Sequence, residues 1–203
     1  THQAEYKKAL EYYFKALDTA KLIYEDNHPD IATIYQNIGV AYNYQGEYKK
    51  ALEFCFKALE IQKSVYGDNH PDIVMPYNNI GTVYHYQGEY KKAIEYYFKA
   101  VDICKSVGGD NHPDLATFYQ NIGSASDEQG EYKNALEYHF KALEIQKSVY
   151  GGNHPGIAAS YQHIGLSFFH LGEYKKALEY YFKFLDGCKS YDGDHHPDLA
   201  LCY

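Results

Sequence analysis

The chain contains no arginine: its 19 basic residues are all lysine, set against 27 Asp and Glu for a net charge of −8. Phosphate recognition favours the planar guanidinium fork, and nucleic-acid affinity comes largely from basic contacts to the backbone. Nucleic acid and anionic membrane surfaces are therefore excluded as expected partners. No apolar run approaches the ~18–20 residues that span a bilayer, and no signal-peptide pattern is visible. The first residue is Thr1 rather than Met, which suggests a fragment or a processed form. Tryptophan is absent and Met occurs once. The four cysteines (Cys55, Cys104, Cys188, Cys202) form no CxxC pair, and scattered thiols lean towards a reducing, cytoplasmic compartment. What is abundant is tyrosine, 25 residues in a chain that is 45% apolar. Tyr gives a large contact area with a polar tip and suits half-buried positions and interfaces.

His-Pro-Asp starts at His28, His70, His112 and His196, with His-Pro-Gly at His154, each 42 residues after the last. In the same phase GEYKKAL or a close variant starts at Gly46, Gly88, Gly130 and Gly172, and AEYKKAL at Ala4. A fixed period of this size marks a solenoid, whose units bury their apolar faces against neighbours. The expected division is one solenoid over 1–203: a second helix of a truncated repeat at 1–27, full repeats at 28–69, 70–111, 112–153 and 154–195, and the start of another at 196–203. Cys104 and Cys188 share a phase but lie two units apart, too far to bridge.

Within the unit 28–69, Pro29 suits the first turn of a helix and Asp30 the positive end of its dipole. Ile31, Ile34 or Tyr35, Ile38 and Tyr42 recur at helical spacing, and Gly46 ends this first helix. A second helix follows, with Tyr48, Ala51, Leu52, Cys55, Phe56 and Leu59 on one stripe. Glu53 precedes Lys57 by four, the favourable order for a helical ion pair, and Glu11–Lys15, Glu95–Lys99, Glu137–Lys141 and Glu179–Lys183 repeat it. Gly39, Gly81, Gly123 and Gly165 hold one phase inside the first helices, and Ala51, Ala93, Ala135 and Ala177 another in the second. Glycine inside a helix costs ~1 kcal/mol relative to alanine, so four copies imply crossings too tight for a Cβ. Three departures stand out. Ser126 replaces the Tyr42-type aromatic and should loosen its unit. Pro76 should delay or bend its helix. Phe184 at the Ala58 position, followed by Gly187 in place of Ile61, should make the last unit pack differently.

Tyr35-x-x-Ile38-Gly39-x-x-Tyr42, then Gly46, Tyr48, Ala51 and Ala58, resemble the tetratricopeptide repeat (TPR). The 42-residue length and the His-Pro-Asp linker are most similar to its kinesin-light-chain-like subgroup. The resemblance implies an all-α, right-handed superhelical solenoid of antiparallel helix pairs. It also implies a non-enzymatic scaffold that binds a protein or peptide on the concave face lined by the first helices. Asn37, Asn79 and Asn121 match an asparagine ladder that bonds a ligand backbone, broken by His163 in the fourth unit. An Asn amide offers both donor and acceptor, and equally could bridge neighbouring helices. On the same stripe lie Gln36, Asn78, Gln120 and Gln162, then Val40, Thr82, Ser124 and Leu166, then Tyr44, Tyr86, Glu128 and His170. It is free of lysine, whereas TPRs that clamp an acidic carboxylate need basic residues there.

Other chemistry is weaker. The repeated His-Pro-Asp reads as a linker and helix start rather than as the J-domain motif. Histidines in equivalent positions of neighbouring units stand at least ~8–10 Å apart, against zinc–nitrogen bonds of ~2 Å. His195-His196 alone rarely makes a site, so no metal or cofactor is expected. No spacing sets a nucleophile beside a base, so no catalytic residue is assigned. Thr1 is in phase with Asn43 and Tyr203 with Tyr35, which leaves seven phases missing between the end of one copy and the start of another. Copies could therefore stack head to tail into a fibre or tube, a heterologous contact. Tyr6, Leu10, Tyr13, Phe14 and Leu17 are expected to expose an apolar face for this, with Phe184, Leu199 and Tyr203 at the other end.

Overall fold

A computed structural model of the chain describes residues 2–151 and 154–192. Among them every regular element is a helix: α1 (His2–Ile23), α2 (Pro29–Tyr44), α3 (Tyr48–Tyr66), α4 (Val74–Tyr86), α5 (Tyr90–Gly108), α6 (Asp114–Glu128), α7 (Tyr132–Tyr150), α8 (Pro155–His170) and α9 (Tyr174–Asp192). First helices (α2, α4, α6, α8) turn into second helices through three residues, a link short enough to force antiparallel neighbours. Glycine makes that turn possible: Gly46, Gly88, Gly130 and Gly172 hold φ of 76° to 81°, where a side chain would be strained. The chain forms two compact units, one up to Val107 and one from Gly108 onward. The expected further repeat at 196–203, with Leu199, Cys202, Tyr203 and the His195-His196 pair, lies outside the described residues.

Each linker histidine bonds the backbone where the chain turns into a first helix. His28 Nδ1 accepts from the backbone N–H of Asp30 at 3.2 Å, and His70, His112 and His154 do the same two residues on, at 3.2, 3.3 and 3.1 Å. This satisfies one of the orphan donors at the helix start. A tyrosine four residues earlier holds the ring: Tyr24 stacks on His28 at 3.9 Å, Tyr66 on His70 at 4.5 Å and Tyr150 on His154 at 4.1 Å. In the remaining unit Gly108 takes the tyrosine's place, and the His112 imidazole fills the space a side chain there would need.

In the first unit, Leu10, Leu17 and Ala20 of α1 form one core with Ile31, Ile38 and Ala41 of α2. The other side of α2 meets α3 so closely that a Cβ on Gly39 would lie 2.6 Å from Cys55 Sγ and 3.1 Å from the Ala51 carbonyl oxygen. Gly81 of α4 meets Tyr97 and Ala93 of α5 in the same way, so the tight crossings read from the glycines are present. α4 begins at Val74, after a single 3-10 turn at Pro71–Ile73. In an α-helix started at Pro71, Pro76 would clash with the carbonyl four residues back and could not bond it. The delayed start follows.

In the second unit, Leu136 and Leu143 of α7, Ile157, Ile164 and Phe168 of α8 and Ala177 of α9 share a core. Ser126 leaves α6 unbroken: it is buried and its hydroxyl donates to the Ile122 carbonyl at 2.9 Å. Elsewhere that phase carries a ring, as where Tyr42 stacks on Phe54 and Tyr84 on Tyr96. Phe184 is buried with Ala158 and Cys188, and a Cβ on Gly187 would sit 3.1 Å from that of Ala158. The large and small exchange on α9 repacks this pair as expected. The exposed pairs Glu53–Lys57, Glu137–Lys141 and Glu179–Lys183 each close at 2.6 Å, worth a few tenths of a kcal/mol at most.

Candidate functional site

Within each unit successive first helices lie against one another, α2 beside α4 and α6 beside α8. Helical periodicity fixes which side chains they turn outward. With Ile31, Ile38 and Gly39 buried, Asn37 and Tyr44 of α2 point to solvent; on α4, Asn79 is half-buried and Tyr86 exposed. In the second unit Asn121 is half-buried and Gln162, Leu166 and His170 are exposed. The rings at the ends of these helices are held from below. Tyr6 stacks on Tyr44 at 5.1 Å, and Tyr132, its equivalent, on His170 at 4.9 Å.

Two residues expected on this surface are used internally. Gln36 Nε2 donates to Gln62 Oε1 at 3.0 Å. Gln120 Nε2 donates to Ser160 Oγ at 2.9 Å, and that hydroxyl donates to Gln146 Oε1 at 2.7 Å. Asn78 is also buried. Gln36 thus braces α2 against α3, and Gln120 braces α6 against α8, so the outward lining narrows to the asparagines, Gln162 and the terminal rings.

The proposed self-association residues are placed differently from expectation. Leu10 and Leu17 are each only 7% exposed, and Tyr13 and Phe14 pack on the same core. The stripe from Tyr6 to Leu17 does not form an exposed face, because α2 covers it. A second helix can carry two apolar faces: α3 packs against both α2 and α4, and α7 against both α6 and α8. Phe184 is likewise buried. The equivalent stripe on α9 is open: Tyr174, Leu178 and Phe182 are 60%, 57% and 62% exposed. Phe169, also exposed, adjoins it with its ring 5.6 Å from that of Tyr174.

A polar cluster that the sequence reading did not find lies inside the second unit. His139 of α7 is fully buried, with its Nε2 3.0 Å from Asp127 Oδ2 of α6. Ser167 of α8 donates to the same carboxylate at 2.8 Å and lies 3.0 Å from the His163 carbonyl oxygen. His163 stacks on His139 with ring centres 5.1 Å apart. Its pKa is pushed down to about 4, first by burial and then by His139, with Asp127 opposing. Serine, histidine and aspartate here do not make a nucleophile. The carboxylate stands between the other two, and the hydroxyl is bonded to it rather than to an imidazole that could take its proton. Cys55 is no better placed, since burial raises its thiol to about 12. Among the described residues no group of three or more His, Cys, Asp or Glu could hold a metal ion. No helix there is long and apolar enough to cross a membrane.

The sequence profile of the tetratricopeptide repeat matches residues 1–55, 43–105, 76–147 and 127–189. Among solved structures, BtubC (BKLC) from P. vanneervenii is similar with a TM-score of 0.82 at 22% identity, covering 95% of this chain and 76% of that one. A putative kinesin light chain of Podosopora anserina, with nearly identical TPR-like repeats, gives 0.77 at 18% identity over 94% of this chain and 90% of that one. MamA gives 0.63 at 22% identity over 93% and 92%. At these identities the likeness is one of fold. No curated protein matches the chain.

Proposed function

Since this chain belongs to the tetratricopeptide repeat family, whose members are generally non-enzymatic scaffolds, we infer that it binds an extended or short helical peptide along the outward stripe of its first helices. The observation that carries this reading is the division of labour on α2 and α4. Apart from exposed Met75, their aliphatic residues are buried or half-buried, and the stripe left outward carries Asn37, half-buried Asn79, Tyr44 and Tyr86. Amides can bond a peptide backbone in either sense, and aromatic rings supply contact area at low entropic cost. Asn121 and Gln162 offer the same chemistry in the second unit. The lysine-free lining favours neutral or basic peptides over those ending in acidic carboxylates. Peptides selected from a random display library against the whole chain provide the probe. Asn37→Ala with Asn79→Ala should weaken peptides held on α2 and α4 at least tenfold, and Asn121→Ala should weaken those held on α6 and α8, with helicity unchanged. Unaltered affinity would refute the ladder.

A second reading is head-to-tail assembly, favoured by the open stripe Tyr174, Leu178 and Phe182. Equivalent residues on α7 are covered: Leu136 is buried by α8 and Phe140 meets Phe168 edge-on at 6.4 Å. Copies joined through this stripe should grow into long particles with rising concentration, visible by electron microscopy without added ligand. Leu178→Asp with Phe182→Asp should prevent the growth. A parent protein that stays monomeric at every concentration rules the reading out.

A further inference from the structure

Four residues that break the repeat pattern converge in the second unit. His139 stands where other units have Cys55, Tyr97 and Tyr181. His163 replaces the Asn37-type asparagine, Asp127 stands where Asn43 and His85 do, and Ser167 replaces Ala41, Val83 and Ala125. We propose that this cluster makes the second unit an acid-sensitive element, in which protonation of His163, stacked on His139, loosens α8 from α6 and α7.

The packing leaves little to satisfy an added proton. With Nε2–H of His139 donated to Asp127, its Nδ1 is buried without a partner. A second proton there would face Gly123, where even a Cβ would lie 2.6 Å from Nδ1. No water fits between them, so the new donor would stay unbonded. His163 lies ring to ring against His139, so charge on one opposes charge on the other. From α6 the pair faces Asp127, which Ser167 of α8 already shares. From α9, Tyr181 packs on Gly165 beside it. One carboxylate thus bonds both the His139 ring and the Ser167 hydroxyl.

The sign follows from where the proton binds. An opened chain takes it up near the ordinary 6.5, whereas packed His163 holds out to about 4. Above pH 6.5 the two forms bind alike. As pH falls towards 4 only the opened form is protonated, and packing is lost progressively. Opening of α8 should rise roughly twentyfold between pH 7 and pH 5. The first unit has Asn37 or Asn79, Cys55 or Tyr97, and Ala41 or Val83 in these phases and should not respond in this way. The proposal holds whether or not the outward stripe binds peptide.

Hydrogen-exchange protection factors of the whole chain at pH 7 and pH 5 test it. The expected result is a selective loss of protection at residues 157–168 of α8 relative to α2, abolished by His163→Asn, which installs the amide of the other units. Equal pH responses in α8 and α2, or an undiminished response in His163→Asn, would overturn it. Should that variant fold poorly, side-chain NMR of the parent decides. A His163 ring still neutral at pH 5 agrees with the proposal, and one that titrates near 6.5 overturns it.

Discussion

Alanine at Gly81 is expected to destabilise the protein by about 1–3 kcal/mol, although the same change in an open helix would stabilise it by ~1 kcal/mol. The sign is decided by the crossing of α4 over α5. A Cβ there stands 2.7 Å from two ring carbons of Tyr97 and 3.1 Å from the Ala93 carbonyl oxygen. The Tyr97 ring is buried, with its hydroxyl 3.4 Å from Thr82 Oγ1, so it has no free direction in which to retreat. Urea unfolding followed by circular dichroism measures the change. Combining Gly81→Ala with Tyr97→Ala should cost less than the sum of the two single changes, because the second removes what the first strikes. A Gly81→Ala protein more stable than its parent would mean that the helices do not approach as described.

Asp127→Ala is expected to cost about 2–4 kcal/mol. Its carboxylate accepts from buried His139 and from Ser167, and without it the Nε2–H of fully buried His139 loses its acceptor. Asp127→Asn keeps an acceptor oxygen while discarding the charge, and should cost roughly half as much. The same urea measurement at pH 7 reads both. Equal, near-zero effects would show that the cluster is not a closed network. The two predictions bear on different units and should add.

The fold was legible because the period repeats its own clues. Pro76 announced a delayed helix, and Phe184 with Gly187 announced a repacked pair, each by departing from a known phase. The glycines of the first helices marked the crossings because their cost demanded a steric cause. Periodicity does not say which face of α1 is covered, since second helices such as α3 and α7 each serve two neighbours. Leu10 and Leu17 were therefore read as exposed when α2 buries them. Nor could it show that His28 and its equivalents cap through Nδ1, although the tyrosines at 24, 66 and 150 offered a hint four residues upstream. Gln36 and Gln120 resemble surface residues in the sequence because their partners, Gln62 and Ser160, sit 26 and 40 positions on in other helices. The buried cluster left four separate irregularities at 127, 139, 163 and 167. Only the packing of α6, α7 and α8 shows them to be one feature.

The claim that ties fold to function is that the second helices are spent on packing while the first helices face a ligand. Hydrogen exchange with and without a library-selected peptide tests this most directly. New protection should appear on 33–44 and 75–86 of α2 and α4, or on 117–128 and 159–170 of α6 and α8, and not on the outer surfaces of α3, α5 and α7. Protection confined to those second helices, with the first helices unchanged, would contradict the account.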